Sequence, residues 1–119
     1  MSQSKHEIHE RIYKFILQVL LFIKRIPRTY ENQILVGQLT RSITSMGAND
    51  QEADGAFTRP DFIHCYTLVR KEAKESLYWI RLIGDCNSSH QAVSNILTKE
   101  VDEIIRIVTS IILNTRNKK

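Results

Sequence analysis

The sequence predicts an all-α protein, a single antiparallel up-and-down four-helix bundle. Apolar residues recur at spacings of three and four along four long stretches, which is typical of amphipathic helices. No stretch alternates apolar and polar residues as a strand would, and only two prolines and four glycines interrupt the 119 residues. Long helices with short connections favour antiparallel neighbours, and the length fits one domain over residues 1–119.

We expect the four helices at residues 5–26, 31–55, 59–86 and 89–116. The first has an unbroken apolar stripe, formed by Ile8, Ile12, Phe15, Val19, Phe22 and Ile26. Pro27 ends this helix, because its ring disfavours helical geometry in the preceding residue. Gly55 is a natural stop for the second helix, and Thr58 is a suitable N-cap for the third. A serine of the segment NSSH, Ser88 or Ser89, caps the fourth.

The basic residues are concentrated towards both ends of the chain. Lysine and arginine number 17 against 13 aspartate and glutamate, for a net charge of +4. Such residues can contact an anionic polymer, although a solvated surface is the simpler alternative for so modest a charge. The candidate phosphate contacts are Arg11, Lys14, Lys24, Arg25, Arg28, Arg116, Lys118 and Lys119.

Targeting and membrane signals are missing from the sequence. The most apolar run, Phe15–Ile23, is too short to span a bilayer, and we expect no membrane partner. Cys65 and Cys86 fall on one predicted helix, where 21 residues separate them by roughly 30 Å, beyond the reach of a disulfide. Reduced cysteines are typical of a cytoplasmic protein.

Residues with catalytic or metal-binding potential are few. A di-iron bundle needs carboxylates on two helices and two Glu-x-x-His motifs, whereas this chain offers Asp61 and His64 without a matching pair. His6 and His9 share a helix face at the chain start, where we expect both to be exposed. Glycine-rich phosphate loops are also missing. We therefore expect no enzymatic activity, no metal site and no cofactor.

A polar row on the second and third helices accompanies several small residues. Arg41, Ser45, Asn49 and Glu52 are spaced to share one face of the second helix, and Gly47 and Ala48 lie beside them. The row is either a solvated face or a partly buried seam that fixes how helices or subunits meet. Trp79 is covered either by the same chain or by a neighbouring subunit. The candidate helix or subunit contacts are Arg41, Asn49, Glu52, Glu72, Glu75 and Trp79.

Three blocks, in order along the chain, carry a family resemblance. They are QLTRSITSMGANDQEA from Gln38 to Ala53, DFIH from Asp61 to His64, and KEAKESLYW from Lys71 to Trp79. From about Ile8 to Arg116 the sequence resembles the small bacterial proteins named after an open reading frame in 23S ribosomal RNA intervening sequences. The resemblance implies an antiparallel four-helix bundle, a homopentamer with a central opening, and no enzymatic activity.

Two functions are compatible with these features. The location of some of the family's genes inside ribosomal RNA suggests RNA or DNA association, as does a similar basic pentamer that assists reverse transcriptase in diversity-generating retroelements. The alternative is an oligomeric scaffold that docks a protein partner and has no nucleic-acid role. No aromatic residue is obviously placed for base stacking, so the sequence does not predict recognition of single strands.

Overall fold

The protein is a bundle of four α-helices, each antiparallel to the next, as the sequence predicts. The computed structural model describes residues 5–118, with side chains from residue 7. The helices are α1 (Lys5–Arg25), α2 (Tyr30–Asp54), α3 (Arg59–Cys86) and α4 (Gln91–Arg116). The bundle is 51 Å long. One end holds the connection between α1 and α2, and we call it the α1–α2 end; the opposite end, with the connection between α2 and α3, is the α2–α3 end.

The helix ends follow from local capping. Thr29 Oγ1 accepts a hydrogen bond from Asn32 N at 3.1 Å, and Thr58 Oγ1 accepts one from Asp61 N at 3.2 Å, so α2 and α3 both have side-chain N-caps. The cap expected at Thr58 is thereby confirmed. The expectation that Ser88 or Ser89 caps the fourth helix is wrong, because both residues lie in a 3₁₀ turn at Ser88–His90 and α4 begins at Gln91 without a side-chain cap.

The core contains the apolar stripe predicted for α1 together with apolar side chains of the other three helices. The apolar stripe of α1 is buried along its whole length, and α2, α3 and α4 contribute Leu39, Tyr66 and Val101 among others. Ile34 of α2 and Val93 of α4 are not part of this core and are 51% and 41% exposed. Both lie near the start of their helices, where fewer neighbours cover a side chain.

Small side chains lie where α3 approaches α2 and α4 most closely. The hydroxyls of Ser42 and Ser76 are 2.9 Å apart between α2 and α3, and both residues are fully buried. Between α3 and α4, Ser94 Oγ donates to the carbonyl of Ile80 at 2.9 Å. Gly47 faces α1, where an added Cβ would lie 2.8 Å from Ile16 Cδ1. The small residues of α2 therefore admit neighbouring helices of the same chain.

Candidate nucleic-acid interface and the polar seam

The predicted basic residues do not form one surface. Lys24, Arg25 and Arg28 lie at the α1–α2 end, whereas Arg116 and Lys118 lie at the α2–α3 end of the 51 Å bundle. Lys119, also predicted, lies outside the described residues. The two basic groups are distant because α1 and α4 are antiparallel, so the end of α1 and the end of α4 point in opposite directions.

Arg11 is bound within the protein. Its Nε and Nη2 donate to the two carboxylate oxygens of Glu100 at 2.8 and 2.9 Å, and Nη2 lies 3.8 Å from Glu103 Oε2. The hydrogen bond to Glu100 raises the pKa of Arg11. This bidentate pair joins α1 to α4 and neutralises a cation expected to be available for phosphate. Lys14, one turn further along α1, is exposed.

The α2–α3 end mixes positive and negative charges. Arg116 and Lys118 share it with the exposed carboxylates of Asp54 and Asp61. The guanidinium of Arg59 donates to the carbonyl oxygen of Lys118, which holds the end of the chain against the start of α3. The positive electrostatic field at this end is weaker than the number of cations implies, because carboxylates lie beside the cations.

The α1–α2 end carries three exposed cations. Lys24, Arg25 and Arg28 are exposed, and over residues 7–118 none of them forms an ion pair. Between the end of α1 and the start of α2 is a depression of about 440 Å³, lined by Ile23, Lys24, Ile26, Pro27, Arg28, Asn32, Gln33, Val36 and Gly37. Tyr30, the first residue of α2, is 77% exposed at the same end.

Hydrogen bonds fix the backbone around this depression. Asn32 Nδ2 donates to the carbonyl of Pro27 and to Asn87 Oδ1, both at 2.9 Å. Asn87 Nδ2 donates back to Asn32 Oδ1 at 3.0 Å and to the carbonyl of Ile83 at 2.8 Å. The connection between α1 and α2 is thereby bound to the end of α3, so the basic side chains project from a fixed backbone.

The polar row is a seam between α2 and α3 within one chain. Arg41 Nη2 lies 2.9 Å from Glu75 Oε1, and Ser45 Oγ donates to Glu72 Oε2 at 3.2 Å. Glu72 is 8% exposed, whereas the side chain of Arg41 is 54% exposed. The seam is therefore buried on its inner side and solvated on its outer side, a combination of the two arrangements that the sequence allows.

The remaining predicted contact residues differ in their environments. Asn49 Nδ2 donates to the carbonyl of Ser45 at 2.9 Å within α2, and Glu52 is exposed. Trp79 is half-buried against the core, and its ring packs edge-to-face on Tyr78 at 5.0 Å between centroids. Its buried Nε1 has no hydrogen-bond partner among the described residues. The chain itself thus covers part of Trp79.

A buried polar network at the start of α1 is missing from the sequence-based predictions. Asp50, 2% exposed, accepts hydrogen bonds from His9 Nδ1 at 2.7 Å and from Tyr66 Oη at 3.1 Å. His9 Nε2 lies 3.4 Å from Asp54 Oδ1. Burial, followed by the charge of Asp50, raises the pKa of Tyr66. The expectation that His9 is solvent-exposed is wrong, since only 16% of its side chain is accessible.

One sequence signal does point to this network. Asp50 lies four residues after Met46 and seven after Ile43, on the buried stripe of α2. A carboxylate in such a position must find buried hydrogen-bond donors. The residues that the structure describes contain no group of three or more His, Cys, Asp or Glu arranged to hold a metal.

The fold and its contacts define a class, the small all-helical bundle proteins in which polar side chains join the helices. The family model described as 23S rRNA-intervening sequence protein matches residues 4–110, and the chain belongs to this family. The family resemblance inferred from the sequence is confirmed. None of the described helices is long and apolar enough to cross a membrane.

A solved structure is similar to this chain over most of its length. It is described as a protein with unknown function from the S23 ribosomal protein family of Bacteroides thetaiotaomicron. The two chains are 27% identical, with a TM-score of 0.82 over 91% of this chain and 96% of the other. No curated protein matches the chain.

Proposed function

We propose that this protein is a non-enzymatic, homo-oligomeric accessory protein of the cytoplasm that binds nucleic acid, with RNA as the expected form. The observation that supports the proposal is the group of three exposed cations, Lys24, Arg25 and Arg28, which form no ion pair with any described residue and lie on a fixed backbone at the α1–α2 end. Phosphate contacts of this kind give affinity with little sequence preference.

The distribution of charge makes the α1–α2 end the better of the two basic ends. Arg11 is neutralised by Glu100, and the cations at the α2–α3 end lie beside carboxylates. The exposed carboxylates at the α1–α2 end are those of Glu31 and Asp85, of which Asp85 accepts a hydrogen bond from Gln91 Nε2 at 2.8 Å. Among the described residues neither pairs with a cation. An anionic polymer would therefore meet three exposed cations there that no described carboxylate pairs with.

Oligomerisation would strengthen this field. A homopentamer of chains at +4 each would carry +20. A cyclic arrangement of parallel subunits would place all the α1–α2 ends on one rim, where phosphates of one nucleic acid could contact several copies. The family's name refers to the intervening sequences of 23S ribosomal RNA, which supports RNA over DNA as the first ligand to test.

Binding of a labelled structured RNA and of a matched duplex DNA, at low and at physiological salt, tests the proposal. We expect micromolar or tighter binding that weakens steeply with salt. The triple variant Lys24→Gln, Arg25→Gln, Arg28→Gln is expected to lose most of the affinity. The control with the same loss of charge is Lys71→Gln, Lys74→Gln, Lys99→Gln, which changes exposed lysines elsewhere. Absence of binding at low salt, or equal losses in both variants, would refute the proposal.

A second candidate function, an oligomeric scaffold without a nucleic-acid role, is favoured by an apolar groove between α1 and α4. It is lined by exposed apolar side chains, Leu21 of α1 and Val93 and Ile96 of α4, at 41–66% exposure. Two adjoining depressions, of about 470 and 280 Å³, run along it and share Gln18 and Ile96. Contiguous apolar surface of this kind is typical of interfaces between proteins.

A further inference from the structure

Tyr30 gives the α1–α2 end a feature that phosphate binding alone does not need. Its ring is 77% exposed, so it contributes little to the core. It follows Arg28 by two residues, and Lys24 and Arg28 line the depression beside it. An exposed aromatic ring within a basic surface is the arrangement on which unpaired bases stack.

The helical register places Tyr30 beside the depression. Tyr30, Gln33 and Gly37 are at positions i, i+3 and i+7 of α2, and so they share one face of the helix. Gln33 and Gly37 line the depression of about 440 Å³. A Cβ added at Gly37 would meet no atom within 4 Å, so the wall of the depression is open on this face of α2.

The surface also has polar groups suited to a base edge. Gln33 is exposed, and its Nε2 is only weakly engaged, at 3.4 Å from the carbonyl of Arg28. The amide offers both a donor and an acceptor to a base held against Tyr30. Lys24, Arg25 and Arg28 would contact the phosphates on either side of that base.

We infer that the α1–α2 end binds single-stranded nucleic acid, with one unpaired base stacked on Tyr30 at the mouth of the depression and the flanking phosphates on Lys24, Arg25 and Arg28. The inference rests on the proposed nucleic-acid function and specifies its ligand. It also revises the sequence-based expectation that no aromatic residue is placed for stacking. In a paired duplex the bases are already stacked on one another, so Tyr30 has no free base to contact.

The test compares an unstructured single-stranded RNA of ten nucleotides with its duplex, by fluorescence anisotropy at fixed salt. We expect Tyr30→Ala to weaken single-strand binding by about 5- to 100-fold and to leave duplex binding unchanged. Tyr30→Phe should bind like the unmodified protein, because the ring is retained. Tyr13→Ala is the matched control, since Tyr13 is 66% exposed on α1, away from the α1–α2 end, and we expect no effect.

A second variant and a spectroscopic signal address the same inference independently. Gly37→Leu adds a side chain in open space, and it should lower single-strand affinity without unfolding the protein. A 2-aminopurine base in the RNA should lose fluorescence when it stacks on the ring, and Tyr30→Ala should restore that fluorescence while RNA remains bound at high protein concentration.

The outcomes separate this inference from the proposed function. If Lys24→Gln, Arg25→Gln, Arg28→Gln abolishes binding but Tyr30→Ala has no effect, the stacking inference is wrong and the phosphate-binding proposal stands. Equal loss of single-strand binding in Tyr30→Phe and Tyr30→Ala would also overturn stacking, because the hydroxyl would then be the important group. If the unmodified protein binds neither RNA at low salt, both ideas fail.

Discussion

Gly84 sets the distance between α3 and α4. A Cβ at this position would overlap the side-chain oxygen and Cβ of Ser94, which is itself held by its hydrogen bond to the carbonyl of Ile80. No described residue has a positive φ, so Gly84 is required for close packing and not for an unusual backbone conformation. Gly37 differs, because a Cβ there would meet open space.

The first prediction compares these two glycines. Gly84→Ala is expected to lower the free energy of unfolding by about 1–3 kcal/mol, because the added methyl group overpacks the contact with α4. Gly37→Ala is expected to raise it by up to about 1 kcal/mol, as alanine favours an exposed helical position. Urea denaturation measures both. Equal effects of the two substitutions would contradict the packing role of Gly84.

The second prediction concerns the alkaline stability of the protein and Tyr66. Because burial raises the pKa of Tyr66 in the folded state, the unfolded state releases this proton first, near pH 10. Stability from this group is therefore fully present below about pH 10 and falls as pH rises further, by about 1.4 kcal/mol per pH unit.

Tyr66→Phe isolates this contribution. At pH 8 the variant is expected to be less stable by about 1–3 kcal/mol, because the carboxylate of Asp50 loses a buried donor. Above pH 10 the difference should narrow, since only the unmodified protein carries the Tyr66 proton. Chemical denaturation from pH 8 to 11 measures it. A difference that stays constant over this range would show that Tyr66 does not titrate with unfolding.

At the level of elements, α1 is attached by its apolar stripe and by polar contacts to both of its neighbours, α2 and α4. Arg11 joins it to Glu100 of α4, and His9 joins it to Asp50 of α2. Both contacts lie in the first half of α1. Charge-assisted hydrogen bonds of this kind are stronger than neutral ones, and a carboxylate left buried without donors is costly.

The third prediction is that Asp50→Asn loosens the start of α1 more than its end. The amide cannot accept charge-assisted hydrogen bonds from both His9 and Tyr66, so backbone amides of residues 8–13 should exchange with deuterium faster than in the unmodified protein. Residues 19–25 should change less. Gln51→Ala, at the exposed neighbouring position, is the control. Uniform acceleration along α1 would indicate a general loss of stability in place of a local one.

Sequence pattern and structure agree best for the helices and least for the contacts between them. Spacing predicts the buried stripes because each helix needs one apolar face. It does not predict that Arg11 meets Glu100, 89 residues away, because nothing local specifies which helices become neighbours. For the same reason Arg11 was expected to be a free cation. Asp50 was overlooked because its donors, His9 and Tyr66, come from two other helices.

At the level of the whole molecule, several exposed apolar side chains lie together between α1 and α4. Leu21 is 53% exposed, Val93 41% and Ile96 66%, and all three line one depression between these helices. α3, in contrast, is sealed against α2 by a polar seam and against α4 by small residues. If chains associate, the α1–α4 face offers a contiguous apolar surface whose burial would favour association.

The fourth prediction is that association of the chains depends on this face. Ile96→Glu is expected to shift the protein to monomers with unchanged helicity, because a buried carboxylate opposes association. Ile34→Glu is the matched control, an isoleucine of α2 that is 51% exposed away from the groove, and it should leave association intact. Trp79→Ala, which removes a half-buried ring packed against the core, should lower stability without dissociating the oligomer.

Sedimentation velocity at about 5–100 µM measures association, and circular dichroism measures helicity. Most specific homo-oligomers are assembled in this concentration range. If Trp79→Ala dissociates the oligomer while helicity is retained, the subunit contact lies at the α2–α3 face. If the unmodified protein sediments as a monomer at every concentration, two proposals are wrong: the oligomeric scaffold function, and the strengthening of the positive field by a pentamer. Nucleic-acid binding would then depend on Lys24, Arg25 and Arg28 of one chain, and the salt dependence should correspond to about three phosphate contacts.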